Sequence, residues 1–106
     1  MTAPRRPRRT YPPLPVRFDA PGGPVAVVIV KDLHTEGVHC HGTYEEEKRE
    51  ICIDAKTRGS FRWKTYWHEW MHVCLADSGQ SETLTDAGNE AVCNAFATAM
   101  TAYQFG

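Results

Sequence analysis

All seven prolines of this 106-residue chain lie between Pro4 and Pro24. Proline cannot donate a helix or ladder hydrogen bond, so long regular elements are confined to the sequence beyond that stretch. Residues 1–17 also carry five arginines and no acid, whereas the remainder carries seven basic and thirteen acidic side chains. The net charge of −1 thus divides into a basic Arg/Pro-rich arm, residues 1–23, expected to be disordered, and an acidic domain, residues 24–106. A domain of that size buries a modest core and is often helped by a metal, disulfides or a partner.

Cys40, Cys52, Cys74 and Cys93 contain no Cys-x-x-Cys pair, which excludes a zinc ribbon and a thioredoxin-like motif. Buried free thiols are expected, because nothing directs the chain to an oxidising compartment. Proline-rich sequence follows the basic start where a signal peptide needs an apolar stretch. The longest apolar run, residues 24–30, is far short of the roughly 20 residues of a membrane span. A cytoplasmic protein with no membrane association is the expectation.

The run Pro-Val-Ala-Val-Val-Ile-Val over 24–30 is β-branched and reads as a buried strand. Residues 38–44 and 49–54 read as a β-hairpin turning at Glu45–Lys48, with Ile51 and Ile53 on one covered face. Together these segments predict an antiparallel sheet of about three strands. Ser60 can cap a helix over 61–76, in which Trp63, Trp67, Met71 and Leu75 share a stripe. A second helix is expected from Thr85 or Asp86 to Tyr103, with Val92, Phe96, Ala99 and Tyr103 as its apolar face.

The first helix contains His68-Glu69-Trp70-Met71-His72, a His-Glu-x-x-His motif. Residues four apart lie one turn apart on one helix face, so both imidazoles can reach one ion, and zinc is the natural guest. Glu69 then stands where a general base can take a proton from water and pass it to a leaving amine. Independent draws from this composition give the motif somewhere in the chain about two per cent of the time, so chance is a poor account of it. A catalytic zinc needs a third protein ligand. Glu82, Asp86 and Glu90 are the candidates, and Glu90 is preferred because a rigid helix positions a ligand better than a loop does. Asn94, one turn on, could orient a ligand.

His68-Glu69-x-x-His72 followed by Glu90-x-x-x-Asn94-x-Phe96-Ala97 resembles the ImmA/IrrE type of gluzincin metallopeptidase. The Gly42–Asp54 segment and Thr65 are also similar, and the likeness spans about residues 42–100. It implies a small α+β zincin-like domain with His68, His72 and Glu90 as zinc ligands and Glu69 as general base. It also implies a regulatory protein as substrate, in a bacterial or phage-infected cell. Met71 stands where that family usually has glycine, and Trp70 adds bulk beside it.

His39 and His41 share one strand face, where one of them could line a substrate cleft. For the developing oxyanion, Tyr44, Tyr66, Tyr103 and His41 are chemically able donors. The expected function is a zinc-dependent endopeptidase acting on a protein or peptide. Two other readings compete: a zinc-stabilised binding module that does not cut, and a nucleic-acid-associated protein acting through the arginine arm.

Overall fold

The apolar run at 24–30 becomes a strand of a mixed sheet with a neighbour on each side. The computed structural model describes residues 10–106. Its strands are β1 (Arg17–Ala20), β2 (Gly23–Val30), β3 (His34–Thr35), β4 (Val38–His39), β5 (Gly42–Glu45) and β6 (Glu50–Asp54), followed by helices α1 (Gly59–Asp77) and α2 (Asp86–Phe105). The main sheet runs β1-β2-β6-β5, and β3–β4 form a separate two-stranded ribbon. The domain is α+β, with both helices following the sheet in sequence.

The expected all-antiparallel sheet of about three strands is corrected here. β2 and β6 pair in parallel, with Val27 opposite Ile51 and Ile29 opposite Ile53. The β5–β6 hairpin docks by its second strand, and the chain between β2 and β5 returns through the ribbon, so β6 runs in the direction of β2. Alternation along one strand carries no information about the direction of its neighbour. As an interior strand, β6 is buried on both faces: Ile51, Ile53 and Asp54 are 0% exposed and Cys52 only 7%.

The arm expected to be disordered over residues 1–23 is corrected for its described part, residues 10–23. β1 pairs antiparallel with β2, and Tyr11, Leu14 and Phe18 pack on the core. Pro12 and Pro13 fit because their segment supplies an acceptor rather than donors: Trp63 Nε1 donates to Pro12 O at 2.8 Å. Residues 1–9, which hold most of the arginines behind the nucleic-acid reading, lie outside the described residues.

α1 begins at Gly59, with Arg58 as an N-cap that makes no side-chain hydrogen bond, so Ser60 lies inside the first turn. In α2 the Thr85 side chain accepts from Gly88 N. The buried side of α2 is Cys93 and Ala97, one residue round from the expected stripe, with Val92 36% and Tyr103 88% exposed. Trp70 stacks on Phe96 at 5.4 Å with planes 12° apart, which is how its bulk is accommodated between the helices. Asp77 receives a fork from Arg49, Nη1 to Oδ1 and Nη2 to Oδ2, both 2.8 Å. Gly22 N also donates to Asp77 Oδ2 at 2.9 Å, so one carboxylate ties the β1–β2 turn and the start of β6 to the end of α1. Cys40, Cys52, Cys74 and Cys93 are all free thiols. No described helix is long and apolar enough to cross a membrane.

Candidate functional site

α1 turns Trp63, Tyr66 and Val73 into the core. Glu69 lies on the same buried side, 6% exposed, while His68 and His72 are half-buried at its rim. Strand β5 can approach because residue 42 has no side chain. A Cβ there would lie 2.7 Å from Thr65 Cγ2 and 3.2 Å from Glu69 Cγ, closer than packed atoms tolerate.

α2 delivers Glu90 from its first turns. Asn89 Nδ2 donates to Ser81 O and Thr85 O, each at 3.1 Å, which fixes the start of the helix against the preceding turn. Glu90 Oε1 then lies 2.8 Å from His72 Nε2 and Glu90 Oε2 3.2 Å from His68 Nε2. The two Nε2 atoms are 3.2 Å apart. Ligand atoms of His68, Glu69 and His72 all fall within 4.8 Å of one another.

Zinc bonds of about 2.0–2.1 Å in a tetrahedron put neighbouring ligand atoms about 3.3 Å apart. The three separations among His68, His72 and Glu90 come close to that spacing, and imidazole with carboxylate is a zinc-type donor set, so the residues present fit such an ion. Burial lowers the pKa of His68, opposed by Glu90, and the neutral ring is the form that ligates. The Nε2 atoms of His68 and His72 face one another beside the Glu90 carboxylate, an arrangement that a cation between them would bridge. Burial, with Glu90 adding repulsion, pushes the Glu69 carboxyl up to about 7, a value suited to exchanging protons near neutrality.

Two cavities flank this cluster, and both are bordered by Gly42, Glu69 and Glu90. The first, about 330 Å³, is also lined by His41, Phe61, Lys64, Thr65, His68 and Asn94. The second, about 570 Å³, opens on the His72 side beneath Tyr44–Glu46. Asn94 and His68 line the first cavity together.

Of the other candidates, His41 borders the first cavity and packs edge-on against Phe61 at 5.0 Å. Tyr103 is corrected: it is 88% exposed and borders neither cavity, because the face of α2 that meets α1 is the one carrying Cys93 and Ala97. Tyr66 is sealed in the core, its hydroxyl pushed up to about 12 by burial. Glu82 lies in a short 3-10 turn and Asp86 opens α2; Glu90 is the carboxylate paired with the histidines.

Sequence reasoning missed Asp54. This fully buried carboxylate accepts from Leu33 N at 3.0 Å and faces His39 Nε2 at 3.3 Å, so His39 anchors the ribbon and leaves His41 to the cavity. A buried acid at the end of a β-branched strand carries no local signal of its partners. Gly42, immediately after a histidine at a strand start, was the legible sign of a close approach. No protein-family model, no curated protein and no solved structure matches this chain.

Proposed function

We propose that the protein is a zinc-dependent metalloendopeptidase with a zincin-like active site, resembling the ImmA/IrrE gluzincins. The observation that carries this reading is the convergence of the Glu90 carboxylate on the Nε2 atoms of both His68 and His72, with Glu69 buried beside them. His68, His72 and Glu90 would hold the ion. When bound, zinc supplies Lewis acidity, which acidifies water and polarises a peptide carbonyl.

The remaining work falls to side chains and backbone of this chain. Glu69 takes the proton of the attacking water and returns it to the leaving amine, and its burial keeps the carboxyl basic enough for the first transfer. Asn94 orients the His68 ring. His41, across the first cavity, donates to the developing oxyanion. β5 is an edge strand, and His41 O accepts from Asp54 N. By the two-residue alternation of an antiparallel ladder, the N–H and C=O of Gly42 and Tyr44 then face outward. A substrate segment adds there as a further strand and carries its scissile bond past Glu69. A regulatory protein inside a bacterial or phage-infected cell is the substrate that the resemblance suggests.

The test is Glu69→Gln in the zinc-loaded protein, assayed on a peptide library by mass spectrometry. Removing a general base costs about a hundredfold or more in rate, with zinc content unchanged. Equal cleavage by the variant would contradict the mechanism.

A further inference from the structure

Among the described residues the buried carboxylates are Asp54 and Glu69, and the mechanism above uses only Glu69. Asp54 ends β6 and collects three donors: Leu33 N on Oδ1 at 3.0 Å, with Lys56 N and His39 Nε2 on Oδ2, each at 3.3 Å. The Leu33 amide chiefly, joined by the Lys56 amide and His39, holds this carboxyl below the usual carboxylate range against the opposing effect of burial. The two amides close the chain before β3 and after β6, and a neutral acceptor would serve them as well. A buried negative charge is costly. What it adds over a neutral acceptor is a firmer hold on the imidazole of His39.

His39 passes that hold to His41. Their rings lie 5.5 Å apart, edge-on at 87°, and His34, opposite His39 in the ribbon, also packs on the His39 ring at 5.5 Å. Phe61 stands against His41 at 5.0 Å and 85°, so the His41 ring is held by His39 and Phe61. The ring makes no hydrogen bond with any described residue, which leaves its nitrogens free for a ligand. The main chain is tied as well, because Asp54 N donates to His41 O at 2.8 Å. One residue therefore fixes His41 twice, directly by its amide and through His39 by its carboxylate.

We infer that Asp54 is a positioning residue of this site: through His39 and through its own amide it holds His41 on the wall of the first cavity, where His41 meets the developing oxyanion. The catalytic part of this role rests on the peptidase reading; the hold on His41 does not. A donor aimed where charge develops acts in the transition state and not before it, so loosening it lowers kcat and leaves KM in place. His39→Ala cuts the link while Asp54 keeps both amide donors, and the His39 side chain is 41% exposed, so the fold is spared. His39→Gln restores an N–H able to reach the carboxylate.

Full-length, zinc-loaded wild type, His39→Ala, His39→Gln, Asp54→Asn and His41→Ala are compared on the fastest-cut member of a blocked decapeptide library, with the thermal midpoint recorded for each. His41→Ala is expected to lower kcat about a hundredfold. His39→Ala and Asp54→Asn should each lower it about tenfold or more at unchanged KM, and His39→Gln should recover part of the loss. On the His41→Ala background neither substitution should lower kcat further, because residues that act as a unit are not additive. Independently of cleavage, NMR on the same proteins reads the His41–Phe61 ring contact and hydrogen exchange at the Asp54 amide. Both are expected in the wild type as a close contact and a protected amide, and both should weaken in His39→Ala. A further fall of kcat on the His41→Ala background overturns this role, since Asp54 then acts through the fold. Wild-type kcat in His39→Ala, or an unchanged ring contact in that variant, also overturns it and leaves the peptidase reading standing. A wild-type protein that cuts no peptide overturns the peptidase reading, while loss of the ring contact in His39→Ala then still upholds the hold on His41.

Discussion

Glu90 Oε1 lies 2.8 Å from His72 Nε2 across 18 residues of sequence, and this contact joins the two helices at the point where Glu69 meets strand β5. Local rules put the two histidines on one face of α1. Tertiary packing brings the carboxylate to them.

Gly42 is what lets β5 stand against that cluster. Gly42→Ala places a methyl group 2.7 Å from Thr65 Cγ2 and 3.2 Å from Glu69 Cγ, and the strain of such overpacking is about 1–3 kcal/mol. We predict reduced peptidase rate with zinc still bound, and a lower thermal midpoint that Thr65→Ser partly restores by removing the clashing methyl. Combined calorimetry and metal analysis checks this; wild-type rate in the Gly42→Ala protein would show that the approach of β5 does not set the position of Glu69.

The clasp of Arg49 on Asp77 gives stability a defined pH dependence. The Arg49 fork, helped by Gly22 N–H, holds the Asp77 carboxyl below the usual carboxylate range. A depressed folded-state pKa stabilises above the unfolded value of about 3.9 and loses that contribution as pH falls through the folded value. Asp77→Asn should therefore cost about 1–3 kcal/mol at pH 7 and progressively less below pH about 4. Urea unfolding of both proteins from pH 7 to pH 2.5 reads the difference, and a gap independent of pH would contradict the account.

The cysteines should separate by burial. Cys93 is 0% and Cys52 7% exposed, and burial pushes their thiols up to about 12 and about 11. Cys40 is only half-buried. Iodoacetamide at pH 8 should label Cys40 in the native protein and reach Cys52 and Cys93 only on unfolding, because the thiolate is the reactive form. Peptide mass mapping checks the order; fast native labelling of Cys93 would mean that the α1–α2 interface opens readily.

How far the chain could be read without coordinates varies by element, for physical reasons. Helix α1 with His68, Glu69 and His72, and helix α2 capped by Thr85, depend on short-range spacing and were legible. The hydrophobic face of α2 was displaced by one residue, because Val92, Phe96 and Tyr103 make as good a stripe by hydropathy as Cys93 and Ala97 do. That displacement is also why Tyr103 looked able to reach the site. β1 was hidden among prolines, and the parallel pairing of β2 with β6 depends on where a hairpin docks. The clasp of Asp77 on Arg49 and the pairing of Asp54 with His39 join residues 28 and 15 positions apart, which no local pattern announces.

The central claim is that His68, His72 and Glu90 together hold one metal ion. Elemental analysis of wild type and Glu90→Ala, each purified without chelator and dialysed against micromolar zinc, tests it most directly. The account predicts about one zinc per wild-type chain and a clear loss in the variant, since removing one of three ligands costs at least the 10–100-fold in affinity seen for the outer-shell partners of such ligands. Full zinc retention by Glu90→Ala, or a folded wild-type chain that takes up none, would contradict it.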